Sequence, residues 1–335
     1  MKGSMTSSLL PRSVPPMLAS LAEGPFDSPD FRFEVKWDGL RCVAFLESAT
    51  RLQSRHLNDL TGRYPDLADL HRAVAGQPAV LDGEIVVFSG GRPDFGALLA
   101  RHHLTHPNRL RAACRTHPAT YVAFDLLYWK GQNVMGYPLE RRQALLAETI
   151  AETESLILSR PVDAGGVAYA EAVFARGLEG VMAKRRDSPY LPGRRSSAWL
   201  KVKRPRSLWA VLAGYIERVD GGPGSVVAAL YDDAGRLRAA GLAGVSLPEA
   251  ARQSLSDRLA ALRRTTPPLA KVPSGLSSRK VRWVEPKLVF RLEYLERTAA
   301  GHLRHAVFRE LVSKNPAACT DDQLEAPRPE GGDLG

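Results

Sequence analysis

Alternating apolar and polar side chains mark the first clear element of the chain. Phe31, Phe33, Val35 and Trp37 alternate with charged residues, and this period of two predicts a strand with one apolar and one polar face. Short apolar runs predict further strands at 80–88, 121–128, 180–184 and 199–203. Helical spacing between them predicts helices at 139–153 and 168–176, the second closed by Gly177. Strands and helices mixed in this way indicate an α+β or α/β fold.

The pattern becomes rich in strands and turns beyond residue 204. Apolar runs predict strands at 210–216, 226–231, 288–295 and 305–311, with one helix at 248–262. About five strands and one helix in a segment of this length suit a small barrel such as an OB-fold. We therefore expect a flexible leader at 1–20, a first domain at 21–204 and a barrel at 205–314. The segment 315–335, rich in Pro, Gly and acidic residues, is expected to be disordered.

The composition narrows the partners and the compartment. The 335 residues contain 46 Lys and Arg against 36 Asp and Glu, a net charge of +10, which favours a polyanionic partner, nucleic acid first and an anionic membrane surface second. The three cysteines are far apart in the sequence and odd in number, so they indicate no disulfide framework and a reducing cytoplasm. Apolar runs stay short of the roughly 18 residues that a membrane span needs.

Charged residues recur on single faces of the predicted strands. Glu34, Lys36 and Asp38 share one face because side chains alternate along a strand. Asp82 shares a face with Glu84 in the second strand, as Lys201 does with Lys203 in the fifth. For one strand alone, the solvated side of a half-exposed sheet explains such a pattern.

Taken together, these charges predict a particular chemistry. Cations neutralise phosphate oxygens, and carboxylates hold Mg²⁺ together with substrate phosphates. A lysine among other cations loses its proton more easily, and a neutral lysine is a nucleophile. Together, a nucleophilic lysine, a metal ion held by carboxylates and cations that bind phosphate suggest nucleotidyl transfer through a phosphoramide intermediate.

The order of the motifs carries a family resemblance. Residues 34–41 read E-V-K-W-D-G-L-R, which resembles the E-x-K-x-D-G-x-R signature of the ATP-dependent DNA ligases in the covalent nucleotidyltransferase superfamily. Five further blocks follow in the family's order, at 54–59, 81–84, 123–126, 179–184 and 199–203. The resemblance covers roughly 20–314 and is strongest to the ligase modules of bacterial ligase D. It implies an α+β protein, with an ATP-grasp-like nucleotidyltransferase domain of mixed and antiparallel sheets followed by an OB-fold barrel.

The resemblance also implies a role for each motif residue. Lys36 would be the nucleophile that keeps AMP, and Asp38 would act catalytically in the later steps. Glu84 and Glu179 would bind the metal, Mg²⁺ or Mn²⁺. Glu34 would read the adenine edge and Phe124 would stack on the base. The residues implied to bind ATP are Glu34, Arg41, Arg55, Glu84, Phe124, Lys201, Lys203 and Lys314.

The last family block departs from its pattern. Ligase D modules end their barrel with R-x-D-K, whereas this chain has Val312, Ser313 and Lys314. Lys314 is the cation that remains in this block, and Val312 stands where the arginine is expected. Since this block orients pyrophosphate in the family, slower self-adenylation is one expectation, and substitution by Arg309 is the other.

The activity implied is ATP-dependent sealing of nicks or breaks in duplex DNA, in repair by end joining. The resemblance implies the Ku end-binding protein as a partner, a monomer, and a bacterial cytoplasmic enzyme associated with the nucleoid. Two alternatives stay open from the residues: an RNA ligase or capping-type nucleotidyltransferase, and a non-catalytic DNA-binding subunit of a repair complex. Covalent labelling by α-labelled ATP separates the enzymes from the last.

Overall fold

The computed structural model describes residues 10–219, 221–298 and 301–324. The chain divides into two compact units between Lys203 and Arg204. Among the described residues, no helix is long and apolar enough to cross a membrane.

The first unit is built on two sheets. Its strands are β1 (Leu18–Leu21), β2 (Phe31–Lys36), β3 (Leu40–Leu46), β4 (Thr50–Ser54), β5 (Ala79–Ser89), β6 (Arg92–Pro93), β7 (Ala119–Trp129), β8 (Gln132–Asn133), β9 (Leu156–Leu158), β10 (Gly180–Arg185) and β11 (Arg195–Lys203). Its α-helices are α1 (Phe95–His102), α2 (Pro107–Thr116), α3 (Leu139–Thr149) and α4 (Gly166–Ala175), with short 3₁₀ turns at Thr61–Arg63, Pro65–Leu67 and Leu70–Ala73.

The smaller sheet has the order β1-β11-β10-β2, and the larger has the order β4-β3-β5-β7-β8. β1 runs parallel to β11, whereas β10 is antiparallel to both of its neighbours. In the larger sheet the pairs β3–β5 and β5–β7 are antiparallel, and β9 adds to β7 in parallel. The predicted mixed and antiparallel sheets are therefore confirmed.

Three apolar cores hold the first unit together. Phe33, Val181 and Val202 of the smaller sheet pack with α4 residues such as Ala170 and Val173. On the other side, Trp199 packs with Val43, Phe45 and Phe124 of the larger sheet. The far face of the larger sheet packs with α1, α3 and the 3₁₀ turns. Each sheet thus has one face in the layer between the two sheets.

The sequence pattern missed β3, and the packing explains why. Leu40, Cys42, Ala44 and Leu46 belong to the outer core, while Val43 belongs to the core between the sheets. A strand buried on both faces has no polar alternation to detect. Gly39, just before β3, is required there because a Cβ would lie 2.3 Å from the carbonyl oxygen of Ile85.

The prediction of a flexible leader at 1–20 is wrong for residues 10–20. Leu10, Val14 and Met17 are buried in the core between the sheets, and β1 pairs with β11 from Leu18 onward. Residues 1–9 lie outside the described residues. Apolar side chains spaced by prolines explain the error, since such a segment has no helix or strand period and still has side chains to bury.

The second unit is a closed barrel. Its strands are β12 (Arg206–Glu217), β13 (Pro223–Tyr231), β14 (Leu237–Gly244), β15 (Arg263–Arg264), β16 (Val281–Val284), β17 (Val289–Tyr294), β18 (Glu296–Arg297), β19 (Leu303–Arg304) and β20 (Ala306–Val312). The helices are α5 (Glu249–Ala261) and α6 (Ser274–Ser277), with 3₁₀ turns at Pro316–Ala318 and Asp321–Gln323.

The strand order identifies the barrel as an OB-fold. β13, β14, β20, β17 and β12 are neighbours in that order, and β12 also pairs with β13, which closes the ring. β14 and β20 are parallel, and α5 lies in the chain between β14 and β17 with Leu255 and Leu259 buried in the barrel core. Five strands with one helix before the fourth are the OB arrangement that the sequence predicted.

The prediction of disorder from residue 315 is wrong for residues 315–324. Cys319 is fully buried, its carbonyl accepts a hydrogen bond from Tyr231, and Gln323 exchanges two hydrogen bonds with the backbone of Trp209. These contacts attach the segment to the barrel although its composition is polar. Residues 325–335 lie outside the described residues.

Candidate active site

Strand register gathers the predicted charges on the inner face of the smaller sheet. Lys36 pairs with Gly180, which pairs in turn with Lys203. In the next row, Glu34 pairs with Met182 and Met182 with Lys201. Directly opposed residues point to the same face, so both predicted lysines of β11 share a face with Lys36. Because Gly180 has no side chain, β10 contributes nothing between Lys36 and Lys203.

The Lys36 ammonium forms an ion pair with the carboxylate of Glu179, the residue just before β10. The two side chains are 23% and 20% exposed, so a ligand can reach them. Burial alone would lower the pKa of Lys36, but the charges of Glu179, Glu84 and Asp38 raise it above its usual value. The expectation that neighbouring cations free this amine of its proton is therefore wrong in this structure, because carboxylates set its electrostatic environment.

Glu84 lies on β5 opposite Arg41 of β3. The pKa of Glu84 is raised to about 8: burial is the main cause, the charges of Arg41 and Lys36 oppose the rise, and those of Glu179 and Asp82 add to it. Glu84 and Glu179 therefore belong to one electrostatic cluster around Lys36, and their roles as metal ligands stay a prediction. Asp38, just beyond β2, also acts on Lys36 electrostatically.

Arg41 is held by a buried carboxylate. Its Nε and Nη2 donate to the two oxygens of Asp82 at 2.7 and 2.6 Å. Its guanidinium carbon lies 4.5 Å from the ring centroid of Phe124 and 5.5 Å from that of Trp199. The bidentate geometry fixes the plane of the guanidinium group, and the aromatic rings give it a cation–π surface.

Phe124 is not an open stacking surface in this structure. Its side chain is only 6% exposed, with Arg41 at 4.5 Å and the Lys184 ammonium at 4.2 Å from the ring centroid. The geometry therefore does not support the predicted stacking on adenine without a shift of a neighbouring side chain.

Glu34 and Lys184 form a buried ion pair that the prediction did not include as a pair. Each side chain is 2% exposed. Burial raises the pKa of Glu34, and the Lys184 charge opposes that rise. Lys184 also lies 4.4 Å from the ring centroid of Trp199. Strand parity sets Lys184 on the same face as Met182, and the pairing of Met182 with Glu34 makes this the Lys36 face.

Arg55 lies apart from this sheet face, in the turn that follows β4. It is partly exposed, and the turn is closed by hydrogen bonds between Ser54 and Asn58. Leu57 in the same turn has φ 69°. No described contact joins Arg55 to Lys36, so its role in nucleotide binding stays a prediction.

Lys314 belongs to the second unit. It lines a cavity of about 420 Å³ together with Arg258, Lys287, Ser313 and apolar residues of β17 and β20. Its ammonium lies 3.6 Å from the ring centroid of Trp209. Arg309 instead pairs with Glu293 on the barrel surface and does not line this cavity, so Arg258 and Lys287 are the basic groups that accompany Lys314.

The carboxylates can supply part of a metal site. Among the described residues, no group of three or more His, Cys, Asp or Glu side chains is arranged to hold a metal ion. Mg²⁺ in nucleotide enzymes commonly uses one or two carboxylates and completes its shell with substrate phosphates and water. The pair Glu84 and Glu179 therefore fits a metal that arrives with a nucleotide rather than a resident one.

Comparison with known proteins identifies the family of both units. A family model described as the ATP dependent DNA ligase domain matches residues 16–203. A second model, described as the ATP dependent DNA ligase C terminal region, matches residues 220–313. The first match ends at residue 203, where the first structural unit also ends.

Individual relatives agree with the family models. The multifunctional non-homologous end joining protein LigD of Mycobacterium bovis is 33% identical over 89% of this chain, which spans only 38% of the LigD length. DNA ligase C1 of Mycolicibacterium smegmatis is 32% identical, with 93% of this chain and 95% of the ligase covered.

A solved structure gives the same answer for the fold. The ligase domain of M. tuberculosis LigD superposes with a TM-score of 0.54 at 31% identity, covering 92% of this chain and 98% of that one. The first family model alone matches more than half of the 335 residues, and ligase C1 is matched over nearly its whole length. The chain therefore belongs to the ATP-dependent DNA ligases.

Proposed function

We propose that this chain seals breaks in duplex DNA through an AMP group carried on Lys36. The observation that carries the proposal is the register that puts Lys36 on the same sheet face as Lys203 and Lys201, across β10, with Glu179 in contact with the amine. A nucleophile, two cations for phosphate and a proton-accepting carboxylate are the groups that attack at phosphorus requires.

In the first step the Lys36 amine attacks the α-phosphate of ATP. The N–P bond forms, the bond to the β-phosphate oxygen breaks, and pyrophosphate leaves with its electron pair. The raised pKa of Lys36 means that its ammonium must first lose a proton, and the ion-paired Glu179 carboxylate is the acceptor. Lys201 and Lys203 stabilise the charge that develops on the α-phosphate oxygens.

The AMP then passes to the DNA. A 5′-phosphate oxygen attacks the adenylate phosphorus and releases Lys36, and the 3′-hydroxyl oxygen next attacks the DNA 5′-phosphate and expels AMP. Asp38, beyond the end of β2 and within electrostatic reach of Lys36, is assigned to these later steps. Both steps exchange one P–N or P–O bond for another, so positioning supplies much of the catalysis.

The remaining side chains hold the nucleotide. Arg41 and Arg55 contact ribose and phosphates, Glu84 the ribose hydroxyl, and Glu34 the adenine edge. Adenine stacks on Phe124 once a neighbouring cation moves aside. Glu84 and Glu179 would hold Mg²⁺ or Mn²⁺, which supplies positive charge to the phosphates when it is bound.

Lys314 acts from the barrel. It lines the basic cavity with Arg258 and Lys287, and three cations around one cavity favour a phosphate group. We assign Lys314 to the pyrophosphate end of ATP. Arg258 and Lys287 supply the positive charge that the family's arginine would supply at position 312. Slow self-adenylation is then not required by the altered block.

The cellular role proposed is DNA end joining in the bacterial cytoplasm, at the nucleoid, with the chain acting as a monomer and with Ku as a partner. The similarity to LigD supports this role, and the net charge of +10 supports phosphate contacts that weaken as salt rises. The similarity to ligase C1 favours strand joining over the RNA-ligase, capping and non-catalytic alternatives.

Covalent labelling tests the proposal. The full chain is incubated with α-labelled ATP and Mg²⁺ or Mn²⁺ and freed of excess ATP. One portion is denatured at once and run on a gel, and the other portions receive nicked DNA or nicked RNA before they are denatured and run. We expect a labelled protein band, its loss on addition of nicked DNA, and a sealed DNA strand. A labelled band that only nicked RNA discharges would replace the DNA proposal, and absence of the band in the parent chain would overturn it.

A further inference from the structure

Four groups from distant parts of the chain form a closed hydrogen-bonded ring beside the candidate site. The Tyr190 hydroxyl donates to Asp82 Oδ2 at 2.6 Å and accepts from the backbone N–H of Met17 at 2.9 Å. Asp82 accepts the two bonds from Arg41. Arg41 Nη2 also approaches the Met17 carbonyl, at 3.5 Å, which closes the ring.

The ring is buried except at Arg41. Asp82 is fully buried, and Tyr190 and Met17 are 2% and 1% exposed, whereas the Arg41 side chain is 19% exposed. Burial raises the pKa of Tyr190 far above its usual value, so its hydroxyl keeps its proton at every physiological pH and remains a donor to Asp82. The interior members thus have fixed hydrogen-bonding roles.

Arg41 has hydrogen bonds left for a ligand. A guanidinium group carries five N–H donors, and the bonds to Asp82 and Met17 use Nε and Nη2. Among the described residues, Nη1 has no hydrogen-bond acceptor. The ring therefore holds one edge of the guanidinium group and presents the other, which is the arrangement that pre-organises an arginine for phosphate or ribose oxygens.

We propose that Tyr190 and the Met17 backbone are positioning groups for Arg41: they orient the Asp82 carboxylate, which in turn orients the guanidinium group that binds the nucleotide. The part concerning the nucleotide depends on the proposed function of Arg41, whereas the orientation of Arg41 does not. The segment before β1, expected to be a flexible leader, then becomes part of the nucleotide site.

The kinetic test is Tyr190→Phe in the full chain. The variant keeps the aromatic side chain, which packs on Trp199 with 5.7 Å between ring centroids, and removes only the hydroxyl group. We expect the KM for ATP in self-adenylation to rise about fivefold, the effect of weakening one hydrogen bond in a charged network, with kcat within about twofold. Thermal unfolding of each variant reports any change of stability separately.

Tyr121→Phe is the matched control. Tyr121 is also a buried phenol, and its hydroxyl donates to the backbone carbonyls of Cys42 and Leu81 rather than to Asp82. The KM should stay unchanged in this variant. A KM that rises equally in both variants, or in neither, would overturn the proposal.

A double-mutant cycle tests the path through Arg41. If Tyr190 acts through Arg41, Tyr190→Phe should add no further increase in KM on an Arg41→Met background. Additive effects would contradict the positioning role.

Nitrogen NMR of the arginine side chains tests the orientation without any activity. The Arg41 Nε signal, identified by its loss in Arg41→Met, should shift or broaden in Tyr190→Phe and stay in place in Tyr121→Phe. An unchanged Arg41 Nε signal in Tyr190→Phe would contradict the proposal that Tyr190 orients Arg41. If instead the signal moves in Tyr190→Phe but the parent chain forms no adenylate, the orientation of Arg41 by Tyr190 is supported and the proposed function is contradicted.

Discussion

The two faces of the smaller sheet use the same strands for opposite purposes. On one face Phe33, Val181 and Val202 are almost completely buried and pack with α4. On the other, one residue further along the same strands, stand Glu34, Lys36 and their charged neighbours. Fold and chemistry are thus separated by a single step of the backbone, and a register slip of one residue would exchange them.

The difference lies in the free energy that each face contributes. Burying the apolar face stabilises the unit by removing hydrocarbon from water. The charged face carries desolvation costs, seen in the raised pKa values of Glu34 and Glu84. The reactive groups share their face with Trp199 of the core between the sheets, but they are charged side chains and not apolar core members. Changes of the charged residues and of the apolar face packed on α4 should therefore separate activity from stability.

Lys36→Ala should remove activity completely and leave the fold intact. The variant leaves the Glu179 carboxylate without its ion-pair partner. Because Lys36 and Glu179 are both partly exposed, water can solvate that carboxylate, and the cost in stability is small. We expect no covalent adenylate on a denaturing gel and a melting temperature within a few degrees of the parent's. A labelled band in this variant would refute Lys36 as the nucleophile.

Phe33→Ala should do the reverse. Phe33 is 1% exposed, and deleting a buried aromatic ring costs about 3–5 kcal/mol. Chemical unfolding monitored by circular dichroism measures the loss. Phe31→Ala, on the same face but partly exposed, is the control and should lose less. An equal loss of unfolding free energy in the two variants would mean that burial of Phe33 does not contribute more to stability than the partly exposed Phe31.

Lys203→Met should slow self-adenylation by about 10²-fold, the usual effect of removing one cation or donor that stabilises transition-state charge. Stability should change little, because the side chain lies on the charged face. Lys271→Met, an exposed lysine of the second unit, is the matched control for net charge. An equal loss of rate in both variants would point to general electrostatics instead of a contact with the phosphate.

Glu84→Gln should raise thermal stability at alkaline pH. The pKa of Glu84 is raised to about 8, so between its ordinary value and 8 the native state holds a proton that the unfolded chain releases. Native stability therefore falls as pH rises through this window, and a neutral amide does not share the loss.

Melting temperatures at pH 5 and pH 8.5 test this. The variant should gain roughly 2–4 °C over the parent at the higher pH for each kcal/mol recovered, and less at pH 5. Glu171→Gln, at an exposed position of α4, should show no such pH dependence. A gain that is equal at both pH values would exclude titration of Glu84 as its cause.

Much of the architecture was predictable because periodicity reports exposure. β5, β7 and β10 lie within a few residues of their predicted bounds, and the helix predicted at 139–153 forms at Leu139–Thr149. The family resemblance is confirmed by the match at 16–203. β3 escaped because both of its faces are buried, which leaves no alternation to find.

The site was less predictable than the fold. Strand parity correctly placed Lys201 with Lys203 and Lys36 with Glu34, and the register then sets both pairs on one face. Parity does not reveal which opposite charge lies nearest to each lysine. The Lys36–Glu179 pair and the cations around Phe124 depend on how the two sheets stack. Tyr190 and Met17 meet across 173 residues, a contact that no local pattern encodes.

The parallel pairing of β1 with β11 has a consequence for how the first unit assembles. Leu18 lies opposite Arg195 and Leu21 opposite Lys201, so the first strand of the unit pairs with its last strand. Contacts this distant along the chain slow folding, because a long loop must close before they form. Residues 18–21 therefore stay without their native neighbour until β11 has been synthesised, so the smaller sheet cannot be completed before the chain has reached residue 203.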